Sequence, residues 1–257
     1  MIVRWQCASW NSSAEDYAWA MLNLSQDLLR ALEPNAEFHV TYQYALHDPR
    51  PDTTYHHQLQ DSVGPGPSWG KFVPTRFDIT THEVWLDNDV VMWSLPPAWK
   101  AFMAAPDVAL GNLCNFGYHG TYSHKLRHPL SSGFLGLPPG YAPDIRTGWA
   151  DADGKPLPNY NHDQEEMGGV AYYLCEHFDD PHLVLVDMES EVPCYNPLSI
   201  LGGPFPVVRT AWGTHGIHLS GCNRRHFNPT PILNHIRSHA GDSVPPFPLE
   251  RAQECQL

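Results

Sequence analysis

At 257 residues, 42% hydrophobic and 17% charged, the chain can build one large α/β domain, and its composition excludes wholesale disorder. A formal net charge of −13 disfavours nucleic acid and anionic membrane as partners, so an anionic substrate would need a local reversal of field, such as a cation held by carboxylates. Six cysteines without a C-x-x-C pair, an opening Ile2-Val3-Arg4-Trp5 that reads as strand, and no run of about 18 apolar residues predict a cytoplasmic setting. They predict no membrane span, zinc site or disulfide framework.

Ile2 to Ser9 has strand composition. Ser12-Ser13-Ala14-Glu15 has capping-box spacing, and Tyr17, Met21, Leu24, Leu28 and Leu32 follow at helical intervals until Pro34. Glu37 to Ala45 reads as a second strand. A βαβ opening of this kind predicts a mostly parallel sheet flanked by helices. Asp48 to Trp69, rich in Pro, Gly, His and Asp, is expected to be a long loop. Glu83 to Leu86 and Val108 to Leu113 are apolar strand candidates, with a short helix from Pro96-Pro97 between them. Ser132 to Leu137 is another strand, stopped by Pro138-Pro139-Gly140. Tyr141 to Asn161 reads as loop, Glu165 to His177 as helix and Leu183 to Asp187 as a buried strand. Residues 1–240 are expected to form one domain and 241–257 a Pro-rich surface tail.

The chemistry concentrates at Val84-Trp85-Leu86-Asp87-Asn88-Asp89. In a strand Asp87 and Asp89 project to one side, and carboxylates that close repel unless a cation lies between them. The carboxyl end of a strand is where open α/β sheets bind ligands, and hard oxygen ligands suit Mg²⁺ or Mn²⁺. Asp-Asn-Asp also suits a solvated turn. Lys71 and Arg76, shortly upstream, are candidate cations for the same site by position alone.

The segment resembles the Asp-x-Asp motif of nucleotide-sugar glycosyltransferases with the GT-A, Rossmann-like fold. Three further stretches resemble the glycogenin-like, retaining group in order. They are the βαβ opening, Ser131-Ser132-Gly133-Phe134-Leu135-Gly136-Leu137, and His162-Asp163-Gln164-Glu165-Glu166. A late His218-Leu219-Ser220-Gly221-Cys222-Asn223-Arg224 resembles that group's His-x-x-Gly-x-x-Lys, with Arg224 in place of Lys. The resemblance implies a metal, Mn²⁺ or Mg²⁺, on Asp87, Asp89 and His218, with His215 as a rival ligand. It implies a UDP-linked donor held by Asn88, Ser132, Gly133, Gly221 and Arg224, and a donor sugar or acceptor oriented by Asp163 and Gln164. The acceptor, whether glycan, protein or small molecule, is not read from the sequence. Two rivals stand beside it. One is a non-catalytic nucleotide- or carbohydrate-binding protein of the same fold. The other is a non-haem iron, 2-oxoglutarate oxygenase, from His177-Phe178-Asp179 with His226 and Arg237 downstream, which would need an antiparallel double-stranded sheet.

Overall fold

The computed structural model describes residues 1–7, 15–42, 46, 48–57, 74–113, 119–142, 151–155, 163–187, 190–193, 213–218 and 238. At 15–17, 163, 164 and 166 it describes the backbone alone. Lys71, Gly221, Arg224, His226, Arg237 and the tail 241–257 lie outside the described residues.

Strand β1 (Ile2–Cys7) is buried at every position and sits inside the sheet, its Ile2, Val3, Trp5 and Cys7 in the core and its Arg4 and Gln6 buried with them. Helix α1 (Glu15–Leu32) lays Ala18, Trp19, Leu22 and Leu29 on the sheet, and the chain returns as β2 (Glu37–Tyr42), parallel to β1. A strand not foreseen in the sequence, β3 (Thr53–His57), then extends the edge beside β2. Its residues are half-buried or exposed and none is fully buried, with no apolar face to mark it, because an edge strand is held chiefly by its ladder.

On the other side of β1 comes β4 (Glu83–Asp87), also parallel, followed by the short β5 (Val90–Met92). Helix α2 (Pro97–Ala104) starts at the expected Pro and buries Trp99 and Phe102 completely, worth about 2–3 kcal/mol each in transfer terms. Strands β6 (Ala109–Leu113) and β7 (Leu130–Leu137) run antiparallel to each other, and β8 (Leu183–Val186) lies parallel to β6. The sheet order is β3-β2-β1-β4-β7-β6-β8, with β7 alone reversed. This is the mostly parallel α/β sheet that the βαβ opening predicts.

Helices α1 and α2 cover one face, packing on Val3, Trp5, Phe38, Val84, Leu110 and Phe134. Helix α3 (Asp163–His177) covers the other, packing on Trp85, Leu130, Leu135 and Leu137. A small second sheet pairs β5 antiparallel with β9 (Gly216–His218). No helix among the described residues is long and apolar enough to cross a membrane.

Candidate metal centre

Period-two alternation puts Glu83, Trp85 and Asp87 on one side of β4, while Val84 and Leu86 enter the core beneath α1 and α2. Asp87 thus ends the strand at the carboxyl edge of the sheet. The chain does not continue extended to Asp89. Asn88 and Asp89 form a turn, so the two carboxylates meet because the backbone bends there rather than because they share a strand face. The bend is held from below: the Asn88 amide donates to the Ala18 carbonyl at 3.1 Å, and the Ser25 hydroxyl donates to the Val90 carbonyl at 2.7 Å.

The third member arrives from far along the chain. In the β5–β9 ladder Val90 lies opposite His218, which sets the imidazole beside the turn. His218 Nε2 is 3.3 Å from Asp89 Oδ1 and 3.6 Å from Asp87 Oδ2, and the His218 N–H donates to the Pro193 carbonyl at 2.9 Å. Side chains of Asp89 and His218 are each 8% exposed and that of Asp87 31%, so the cluster is sunk in the protein but open on the Asp87 side. One ligand atom from each of the three lies within 4.8 Å of the others.

Around an octahedral ion with bonds of about 2.1 Å, ligand atoms stand about 3 Å apart when adjacent and about 4 Å when opposite. The observed separations fit, and two carboxylates with one imidazole suit a divalent ion, Mn²⁺ more than Mg²⁺. Gly133 supports the same conclusion. It lies on β7 next to the residue paired with Leu86, and a Cβ there would stand 2.4 Å from Asp87 Oδ2 and 2.7 Å from His218 Cε1. A strand passing that close to the cluster has room only for hydrogen at this position.

His215, the rival ligand, is engaged elsewhere. Its Nδ1 is 2.7 Å from the Ser94 hydroxyl and its Nε2 4.0 Å from Glu191 Oε1, while its backbone carbonyl accepts the Trp93 and Ser94 N–H groups. Ser94, Glu191 and His215 therefore brace β9. Nothing in the sequence signals this brace, since its partners come from distant segments with no shared motif.

Arg76 is not brought to the cluster. It lies at the start of β4, a strand about 13 Å long whose other end carries Asp87. There its Nε is 3.3 Å from Glu83 Oε2, and it donates to the carbonyls of Pro138 at 2.9 Å and Asp78 at 3.2 Å. Arg4 reaches Glu83 from the other side at 3.1 Å, and both guanidiniums are almost wholly buried. Burial lowers the pKa of each arginine, and Glu83 opposes the shift. Asn88, expected to contact nucleotide, lies in the turn with Asp89, and its amide is the strut to α1 described above. Ser132 is buried next to Gly133 on β7. Asp163 and Gln164 open α3, whose Gly168 packs on His119, a residue bonded in turn to the Leu130 carbonyl at the start of β7. Their helical turn is therefore at the same end of the sheet as the cluster.

The mostly parallel sheet removes the ground for the oxygenase. Of its residues, His177 packs on Tyr141 in a tilted arrangement at 4.3 Å between ring centroids, and Asp179 pairs with His182.

No protein-family model matches the chain, and no curated protein matches it in sequence. Solved structures do match in fold. The galactosyltransferase LgtC, in complex with donor and acceptor sugar analogues, aligns with a TM-score of 0.58 at 12% identity, over 99% of this chain and 100% of that one. A structure of an active-site mutant of LgtC gives 0.54 at 11% identity, over 99% and 95%. WbbM, a bifunctional glycosyltransferase, gives 0.52 at 10% identity, with 99% of this chain covering 51% of WbbM. The chain has the GT-A fold of nucleotide-sugar glycosyltransferases.

Proposed function

We propose that the chain is a metal-dependent glycosyltransferase that moves a sugar from a UDP-linked donor to an acceptor hydroxyl or other nucleophile. The observation that carries this reading is the convergence of Asp87, Asp89 and His218 at the carboxyl edge of a GT-A sheet. An ion there, Mn²⁺ or Mg²⁺, supplies a Lewis acid to the donor's diphosphate oxygens. The chain's own residues do the rest. Gly133 and Ser132 line the donor side of the cluster. Arg224 adds a permanent charge with bidentate phosphate geometry, Gly221 lets the backbone approach the phosphates, and Lys71 contributes a further cation. Asp163 and Gln164 orient the donor sugar or acceptor, and the carboxylate of this pair serves as base. A cytoplasmic setting is part of the proposal, on the ground of cysteine usage: six cysteines with no C-x-x-C pair.

A thermal-shift screen of UDP, GDP, CMP and 2-oxoglutarate, each with and without Mn²⁺, tests the proposal. A ligand at 100 times its Kd adds about 2.7 kcal/mol to the native state, or about 5–10 °C in Tm for a domain of this size. A shift from one nucleoside diphosphate only when Mn²⁺ is present supports the reading and names the base. Loss of that shift in Asp89→Asn ties it to the cluster. No shift with any nucleotide overturns it.

A further inference from the structure

The Glu165 carboxylate is committed to a turn of the protein itself. Thr121 donates to it twice, from its N–H to Oε1 at 2.8 Å and from its hydroxyl to Oε2 at 2.9 Å. The same hydroxyl accepts the Ala152 N–H at 2.8 Å, and the Tyr122 hydroxyl reaches the Asp151 carbonyl at 3.3 Å. One carboxylate thereby joins the first turn of α3, the 3₁₀ turn Gly120–Tyr122 and the turn at 151–155.

Two glycines make the junction possible. Gly120 has φ +56°, and a Cβ there would lie 2.3 Å from Glu165 Cδ. At Gly168, one helical turn further along α3, a Cβ would lie 2.2 Å from the His119 carbonyl oxygen. His119 Nε2 is 3.1 Å from the Leu130 carbonyl, at the start of the strand whose Gly133 cradles Asp87 and His218. An unbroken line of contacts so runs from the first turn of α3 to the metal cluster.

We propose that Glu165 is a positioning residue: its bond pair with Thr121 holds Asp163 and Gln164, its two predecessors on α3, in fixed relation to the Asp87–Asp89–His218 cluster. The proposal rests on the reading of Asp163 and Gln164 as the groups that orient substrate. Glu165 acts through them and not on the substrate. Both of its oxygens accept charge-assisted bonds, which an amide weakens. In Glu165→Gln the NH₂ group meets the Thr121 hydroxyl only if that hydroxyl turns to accept from it as well as from Ala152, and neither remaining bond is charge-assisted.

The test uses the full chain with Glu165→Gln, Thr121→Val and Thr121→Ser, which keeps the hydroxyl. The readouts are amide hydrogen exchange at 119–123 and 151–155, the Mn²⁺-dependent Tm shift with UDP, and turnover of UDP-glucose and UDP-galactose with Mn²⁺. Glu165→Gln and Thr121→Val should raise exchange in both segments about tenfold, lower kcat by about ten- to a hundredfold, and leave donor KM within about twofold and the UDP shift intact. Thr121→Ser should restore exchange and kcat together. Wild-type exchange or wild-type kcat in Glu165→Gln overturns the proposal, as does a loss expressed in KM alone. Absence of a Mn²⁺-dependent UDP shift in the wild type refutes the donor site instead. Exchange then judges the Glu165 junction by itself, with unchanged rates against it and raised rates rescued by Thr121→Ser in its favour.

Discussion

Replacing Gly133 with Ala puts one methyl group where β7 passes the metal cluster. The new Cβ would stand 2.4 Å from Asp87 Oδ2 and 2.7 Å from His218 Cε1. Ordinary contact is about 3.4 Å, so the carboxylate must retreat by about 1 Å and the imidazole by about 0.7 Å. Both are ends of side chains, and Gly133 does not have the positive φ of Gly120. The strand itself is therefore not forced to move. Metal–ligand bonds tolerate only about 0.2 Å, and disturbances just outside the coordination shell cost about 10–100-fold in metal affinity. That range corresponds to about 1.4–2.8 kcal/mol. Calorimetric titration with Mn²⁺ should show a drop of that size in Gly133→Ala, with the metal-free Tm within a few degrees of wild type. Mn²⁺ affinity equal to wild type would refute both the ligand set and the close-approach argument.

His218→Ala should abolish Mn²⁺-dependent UDP stabilisation, whereas His215→Ala should weaken it by less than about tenfold, because His215 only braces β9; the thermal-shift assay with UDP separates the two. Glu83→Ala leaves Arg4 and Arg76 buried without their carboxylate, and urea unfolding should show a loss of about 3–5 kcal/mol. Stability should also fall in acid through His39 and His56, whose ring nitrogens meet at 3.0 Å on the β2–β3 edge. Burial lowers both pKa values, so their contribution is complete above about pH 6.5 and is lost as pH falls below it toward the folded-state values. His56→Gln should flatten the decline between pH 7 and 5, measured as Tm against pH.

Much of the fold is legible because its signals are local. The 3.6-residue period of α1, the Pro that starts α2 and the Pro-Pro-Gly that stops β7 act within one or two turns of chain. β8 is a short all-apolar run, and Val84-Trp85-Leu86 in β4 and Ile2-Val3 and Trp5 in β1 mark strands covered on both faces, although both strands also bury charge, Arg4 in β1 and Glu83 in β4. β3 escaped notice because the partner that makes Thr53–His57 a strand is β2, and no burial pattern of its own records that pairing.

The same division runs through the candidate site. Asp-x-Asp after an apolar strand marks itself in sequence, since residue type and position relative to the strand end are both local. The sequence could not decide between His215 and His218, three residues apart and chemically identical. The antiparallel register of β5 with β9 decides it, setting His218 opposite Val90 and turning His215 toward Ser94. Arg76 was plausible by proximity in sequence, yet Glu83 ties it to the far end of β4. Residue type and local period are written in the sequence, and they determined the parallel α/β sheet and the acidic motif. Which side chains meet across the sheet depends on long-range register and on where buried charges find partners, so the resemblance could name Asp87, Asp89 and His218 but only the tertiary structure brings the three together and turns His215 away.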